Sequence, residues 1–136
     1  ADFHGNSLSI LSTPLKSLEL ISLKHISNGN VFIAYNSKLC YADGIDWQQI
    51  LKRPDQKYVV RSNRPFLQCE RDKEVCDVQC GVSGCWGKGQ NKCLKCAKNL
   101  YEEESLCLNE CTDLPRLYHG GMNKCLKCHK ECASHC

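Results

Sequence analysis

The residues with the most chemistry to offer are the cysteines. Twelve of the thirteen fall between residues 69 and 136, the last eleven in the run Cys76-x3-Cys80-x4-Cys85-x7-Cys93-x2-Cys96-x10-Cys107-x3-Cys111-x13-Cys125-x2-Cys128-x3-Cys132-x3-Cys136. Cys93-Leu-Lys-Cys96 recurs 32 residues later as Cys125-Leu-Lys-Cys128, so this stretch repeats internally. Paired Cys-x-x-Cys can ligate zinc through thiolates, with His129 and His135 as further donors. Against zinc, the intervals carry another cysteine every few residues, more ligands than a few tetrahedral sites would order. Cys125-Leu-Lys-Cys128-His129 matches the attachment signature of c-type haem, but Met122 lies too close upstream to serve as a second ligand. A redox Cys-x-x-Cys needs a thioredoxin-like alternation of strand and helix around it, which is missing. Structural disulfides in an oxidising compartment remain.

Composition points the same way. Residues 1–68 hold one cysteine, Cys40, and 21 Val, Ile, Leu or Phe; residues 69–136 hold 11 Val, Leu or Met and no Ile or Phe. The second half is too poor in apolar surface to fold by burial alone and must be cross-linked. Small cross-linked modules in series make a rod. No other reactive constellation appears: there is no nucleophile elbow, no Gly-rich phosphate loop and no His-Glu-x-x-His. Glu102-Glu103-Glu104 reads as a solvated loop, weak as a calcium site. No metal or cofactor is expected.

Charge is balanced, 8 basic and 5 acidic residues in the first half and 10 of each in the second, without a basic stripe or interleaved aromatics. Nucleic acid is therefore a poor candidate for a partner, and none is expected. No apolar run is long enough to cross a membrane, and the start carries no signal-peptide pattern. The chain starts in mid-pattern at Ala1 and has an odd cysteine count, the expectation for a segment of something longer.

The first half must supply the frame. Leu18/Leu20 and Val31/Ile33 are period-two pieces that read as strands, and Ser7 to Leu11 and Tyr58 to Arg61 read as two more. Inward residues at three-residue steps, with a turn at Asn28-Gly29, mark tight corners. This is how the coils of a solenoid are written. Asn36 reads either as a corner residue bonding backbone groups or as an exposed turn asparagine. Asp46 is an N-cap candidate with Gln49 as its capping-box partner and Pro54 as a stop; the short helix between them would turn Trp47 and Ile50 inward. The half supplies barely two coils where a solenoid wants about three, so an apolar edge should be exposed. Trp86 is the only large aromatic at the seam between the halves.

These motifs together resemble the extracellular region of the epidermal growth factor receptor (ErbB) family. They are Ser17-Leu-Glu-Leu-x-Ser-Leu-Lys-x-Ile-Ser-Asn-Gly-Asn-Val, Asn36-x-x-Leu-Cys40-Tyr-Ala, Ile45-Asp-Trp47, Ser62-Asn-Arg64, Gly84-Cys85-Trp86-Gly87 and Cys125-x-x-Cys128-His129-x-Glu-Cys132. The resemblance implies a mainly β chain in two parts. Residues 1–69 would be the end of the second L domain, part of a right-handed β-helical solenoid; residues 70–136 would begin the second furin-like cysteine-rich domain, a disulfide-rich rod. It implies bonds Cys40 to Cys69, Cys76 to Cys85, Cys80 to Cys93, Cys96 to Cys107, Cys111 to Cys125 and Cys128 to Cys136, with the partner of Cys132 beyond the last residue.

By the same resemblance the function is growth-factor binding on the extracellular side of the plasma membrane. The parent would be a receptor tyrosine kinase that dimerises through absent segments, with its ATP, Mg and transmembrane helix also outside this chain. The alternatives are a secreted, kinase-less growth-factor decoy and, from a different class, an intracellular zinc-binding interaction module. Positions matching the family's ligand face are His4, Phe32 and Val59, His4 reading equally well as a surface turn residue. Phe32 would point outward between inward Val31 and Ile33. Trp86 would plug into the L domain and set the angle between the two parts.

Overall fold

The computed structural model describes residues 5–128. Strands β1 (Asn6–Leu11), β2 (Asn30–Ala34) and β3 (Tyr58–Arg61) form a parallel sheet in the order β1-β2-β3. Ser9, Phe32 and Val59 stand in one row of its register, and Ile10, Ile33 and Val60 in the next. Parallel neighbours require a long crossover between strands; here the β1-to-β2 crossover is irregular coil, and the β2-to-β3 crossover carries only a 3-10 turn (Ala42–Gly44) and a one-turn helix packed on the core. Val31 and Ile33 are buried in a core shared with Leu18, Ile26, Leu39, Ile45, Trp47 and Ile50.

The corner after each strand is built the same way. The residue next after the strand is left-handed, Ser12 (φ 52°), Tyr35 (φ 59°) and Ser62 (φ 56°). The residue after that carries a hydrogen-bonding side chain, Thr13, Asn36 and Asn63. Asn36 is fully buried between the other two. Its carbonyl accepts from the Thr13 amide (2.8 Å) and hydroxyl (2.7 Å), and its amide donates to the Ile10 carbonyl (3.0 Å) and to Asn63 Oδ1 (2.9 Å). Asn36 is thus a corner residue and not an exposed turn.

Leu18 and Leu20 are not in a strand. Leu18 is buried and Leu20 packs against the core, so the side chains behave as the spacing implies. The backbone between them does not: Glu19 is left-handed (φ 54°), and its N–H donates to the Trp86 carbonyl at 3.1 Å instead of joining the sheet.

Helix α1 (Trp47–Ile50) turns Trp47 and Ile50 inward, but it is a single turn without a capping box. The Asp46 amide that Gln49 would cap already donates to the Ser83 carbonyl (2.9 Å), and the Gln49 side chain goes to the Asp46 carboxylate and the Ser83 hydroxyl. The helix stops at Ile50, short of Pro54, because Leu51 is extended and bridges Ile26. A second helix, α2 (Phe66–Arg71), escapes sequence reading: Phe66 and Leu67 are 64% and 72% exposed, so it has no apolar stripe.

What holds α2 is the Cys40–Cys69 disulfide, which spans 29 residues. In the chain-entropy picture a loop of that length contributes about 3.5 kcal/mol. Replacing both cysteines with serine should lower the unfolding free energy by that order in urea titration, and the loss should appear first as faster amide exchange in α2.

Beyond Cys76 the architecture changes. Four disulfides, Cys76–Cys85, Cys80–Cys93, Cys96–Cys107 and Cys111–Cys125, close short loops of 9 to 14 residues. Cys128 is also disulfide-bonded, while Cys132 and Cys136 lie outside the described residues. Two small hairpins follow, β4 (Asn99–Tyr101) with β5 (Leu106–Leu108) and β6 (Leu117–His119) with β7 (Cys125–Lys127). Their core is Tyr101, Leu108, Leu117 and the sulfurs of Cys111 and Cys125. Such a core is too small to fold without cross-links. In the acidic run, Glu102 pairs with Lys124 and Glu103 accepts from the Tyr101 hydroxyl at 2.6 Å. That bond, with burial and the neighbouring carboxylates, pushes the Tyr101 phenol up to about 12.

Candidate functional site

The candidate residues fall in two regions, the outer sheet face and the joint between the two parts.

On the sheet, alternation decides which side chains face out. Val31 and Ile33 are buried, so Phe32 between them lies on the opposite face, partly exposed, with Ser9 on one side and Val59 on the other. Val59 is 38% exposed. Beyond β3 the surface continues into a cleft of about 650 Å³ lined by Tyr58, Val59, Leu51, Pro54 and the basic Lys52, Arg53 and Lys57. The structure therefore places Phe32 and Val59 side by side on one face, while His4 lies outside the described residues.

At the joint, Trp86 is 1% exposed and belongs to the core of the first part. Its ring meets that of Trp47 edge to face, with centroids 5.7 Å apart and planes at 75°, the arrangement that aromatic quadrupoles favour. The Trp47 indole N–H donates to the Ala42 carbonyl at 3.3 Å, which fixes the partner ring. Glycine stands on both sides of the plug, and at Gly84 the reason is steric. Gly84 is left-handed (φ 95°) and a Cβ there would collide with the Gly44 carbonyl; a Cβ on Gly87 would strike the Glu19 carboxylate. Glu19 in turn pairs with Lys92 at 2.9 Å. The close backbone approach between the two parts is thus made at Gly84, against Gly44 and Ile45.

A second tie was not visible in the sequence. The Tyr41 hydroxyl donates to the Glu74 carboxylate at 2.7 Å. Burial and this carboxylate hold the Tyr41 phenol well above the ordinary tyrosine range. Tyr41, Leu39, Phe66, Val75 and the Cys69 and Cys76 sulfurs line a mostly apolar cavity of about 280 Å³. Among the described residues no three His, Cys, Asp or Glu side chains are grouped to hold a metal, and no helix is long and apolar enough to cross a membrane.

A solenoid end whose open side is closed by a tryptophan from a run of disulfide modules defines a class: an extracellular receptor segment in which an L domain meets a cysteine-rich domain. The Receptor L domain family matches residues 2–51, and the Growth factor receptor domain IV family matches residues 75–136. The chain belongs to the epidermal growth factor receptor (ErbB) family and is an extracellular segment of a receptor of that family. It is 38% identical over 126 residues to the epidermal growth factor receptor of Apis mellifera, covering 93% of this chain and 10% of the relative. It is 38% identical over 112 residues to that of Gallus gallus, covering 82% and 16%. The receptor tyrosine-protein kinase erbB-4 of Homo sapiens is 37% identical over 110 residues, covering 80% and 8%. The chain spans about a tenth of the length of most of these curated relatives.

Proposed function

We propose that the outer face of the β1-β2-β3 sheet contributes to binding an epidermal-growth-factor-like ligand through Phe32 and Val59, with His4 as a further contact on the strength of the family pattern alone. The observation that carries this reading is Phe32. An aromatic side chain left partly exposed between two fully buried neighbours, beside an exposed valine, is apolar surface that a partner can cover. The disulfide modules after residue 69 then act as a stiff spacer with Trp86 setting their angle to the sheet, residues 1–69 and 70–136 being the two units. The parent is a single-pass receptor in the plasma membrane with a cytoplasmic tyrosine kinase. ATP and Mg belong to that kinase, and this segment works without a cofactor. Dimerisation is carried by parts of the parent outside this chain.

Phe32→Asp tests the ligand face. Aromatic anchors at interfaces typically contribute 2 kcal/mol or more, so binding of an epidermal-growth-factor-like protein should weaken by about thirtyfold or more. The near-ultraviolet circular dichroism of Trp47 and Trp86 should stay as in the parent chain, because Phe32 lies outside the core. Unchanged affinity with an intact fold removes Phe32 from the site.

A further inference from the structure

At the joint, on the side where Trp86 enters, lies a cleft of about 370 Å³. Its rim carries Lys24, His25 and Lys52 from the first part and Lys95 from the second, and its floor is made by Leu23, Ile50, Trp86 and Leu94. No carboxylate lines it. Of the acids on neighbouring segments, Glu19 is paired with Lys92, Glu102 with Lys124 and Asp55 with Arg53, while Asp46 keeps its charge but does not line the cleft, where three lysines outnumber it. Lys24 and Lys95 form no ion pair among the described residues, and the Lys52 ammonium donates to the Gln49 carbonyl and to no carboxylate among them. A concave excess of positive charge concentrates potential and attracts anions. Both sides of this cleft are cationic, so the joint closes against repulsion that a bound anion would relieve.

We propose that this cleft is a binding site for a sulfated saccharide, which bridges the two parts and stiffens the joint. The cleft is larger than a single sulfate or phosphate needs. Lysines on flexible stems suit several dispersed point charges better than one planar carboxylate, for which arginine forks are the usual choice. The leucines and isoleucine of the floor offer apolar surface to the C–H faces of sugar rings. Disulfide bonding places the chain outside the cell, where sulfated glycans are the abundant polyanions.

The test titrates a heparin-derived hexasaccharide into the full chain by calorimetry. It compares the triple variant Lys24→Ser, Lys52→Ser, Lys95→Ser with a control of equal net charge, Lys16→Ser, Lys38→Ser, Lys88→Ser. All six lysines are exposed, and unaltered near-ultraviolet dichroism checks the fold of both. The single variant Lys95→Glu, which reverses one charge on the rod side, is a second reading of the same site. The cleft variants should bind at least about tenfold more weakly, a loss of roughly 1.4 kcal/mol, and the control should change by less than about twofold. Saccharide should slow amide exchange at Asp46, whose N–H spans the joint to Ser83. Free sulfate at matched concentration should not compete, and phosphatidylserine vesicles should not bind. The proposal is overturned by no saccharide binding, by equal weakening in cleft and control variants, by full competition from free sulfate, or by vesicles that bind more tightly than the saccharide.

Discussion

Trp86→Ala should cost about 3 to 5 kcal/mol and open the joint while every disulfide stays formed. The size follows from what the side chain does. At 1% exposure it fills the open end of the first core and stacks edge to face on Trp47, so truncation leaves a cavity next to a ring that has lost its partner. The backbone cannot close the gap easily. Cys85 beside it is bonded to Cys76, and Gly84 already sits against the Gly44 carbonyl. Two amides report the joint directly, Glu19 donating to the Trp86 carbonyl and Asp46 donating to the Ser83 carbonyl. In hydrogen exchange both should lose protection in the variant, while the amides of β4 and β5, held by Cys96–Cys107, keep theirs. Unchanged protection at Glu19 and Asp46 would show that the plug does not hold the two parts together.

Asn36→Ala should be nearly as severe, about 3 kcal/mol. The alanine strands the Ile10 carbonyl and the Thr13 amide, and it removes a donor from Asn63. Each buried polar group left without a partner costs about 1 to 3 kcal/mol. Asn36→Asp separates hydrogen bonding from size. A carboxylate keeps the acceptor for Thr13 but loses the donor to Ile10 and Asn63, and it buries a charge with no cation beside it. Its folded-state pKa is raised above the unfolded value, so the folded chain binds the extra proton more readily. The Asp variant should therefore be least stable at neutral pH and recover as pH falls through its raised pKa. Urea midpoints of the two variants across that range check both statements, and a loss below about 1 kcal/mol for Asn36→Ala would mean that the corner ladder is not a source of stability.

These two residues show what the amino-acid pattern carries and what it hides. β1 and β2 are readable because one inward face forces alternation, β3 because Tyr58, Val59 and Val60 are strand formers, and α1 because its inward residues are large. Leu18 and Leu20 mislead for a definite reason: their side chains do point into the core, but the Glu19 backbone between them is claimed by Trp86, a residue far along the chain. The same distance hides the Tyr41–Glu74 bond, which exists only once the rod is docked. α2 leaves no apolar signature because a disulfide holds it in place of a packed face. Asn63 could have been found, since it follows β3 at the offset at which Asn36 follows β2 and Thr13 follows β1. Cysteine spacing announces a cross-linked rod but leaves the pairing open, and only the family pattern suggests one.

The ligand face is tested most directly by following the Phe32 ring and Val59 methyl resonances of the full chain while an epidermal-growth-factor-like protein is added. The account predicts saturable shifts centred on Phe32 and Val59, with smaller effects on Tyr58 and Ser9 around them. Shifts confined to residues beyond Cys76, or none at saturating ligand, would contradict it.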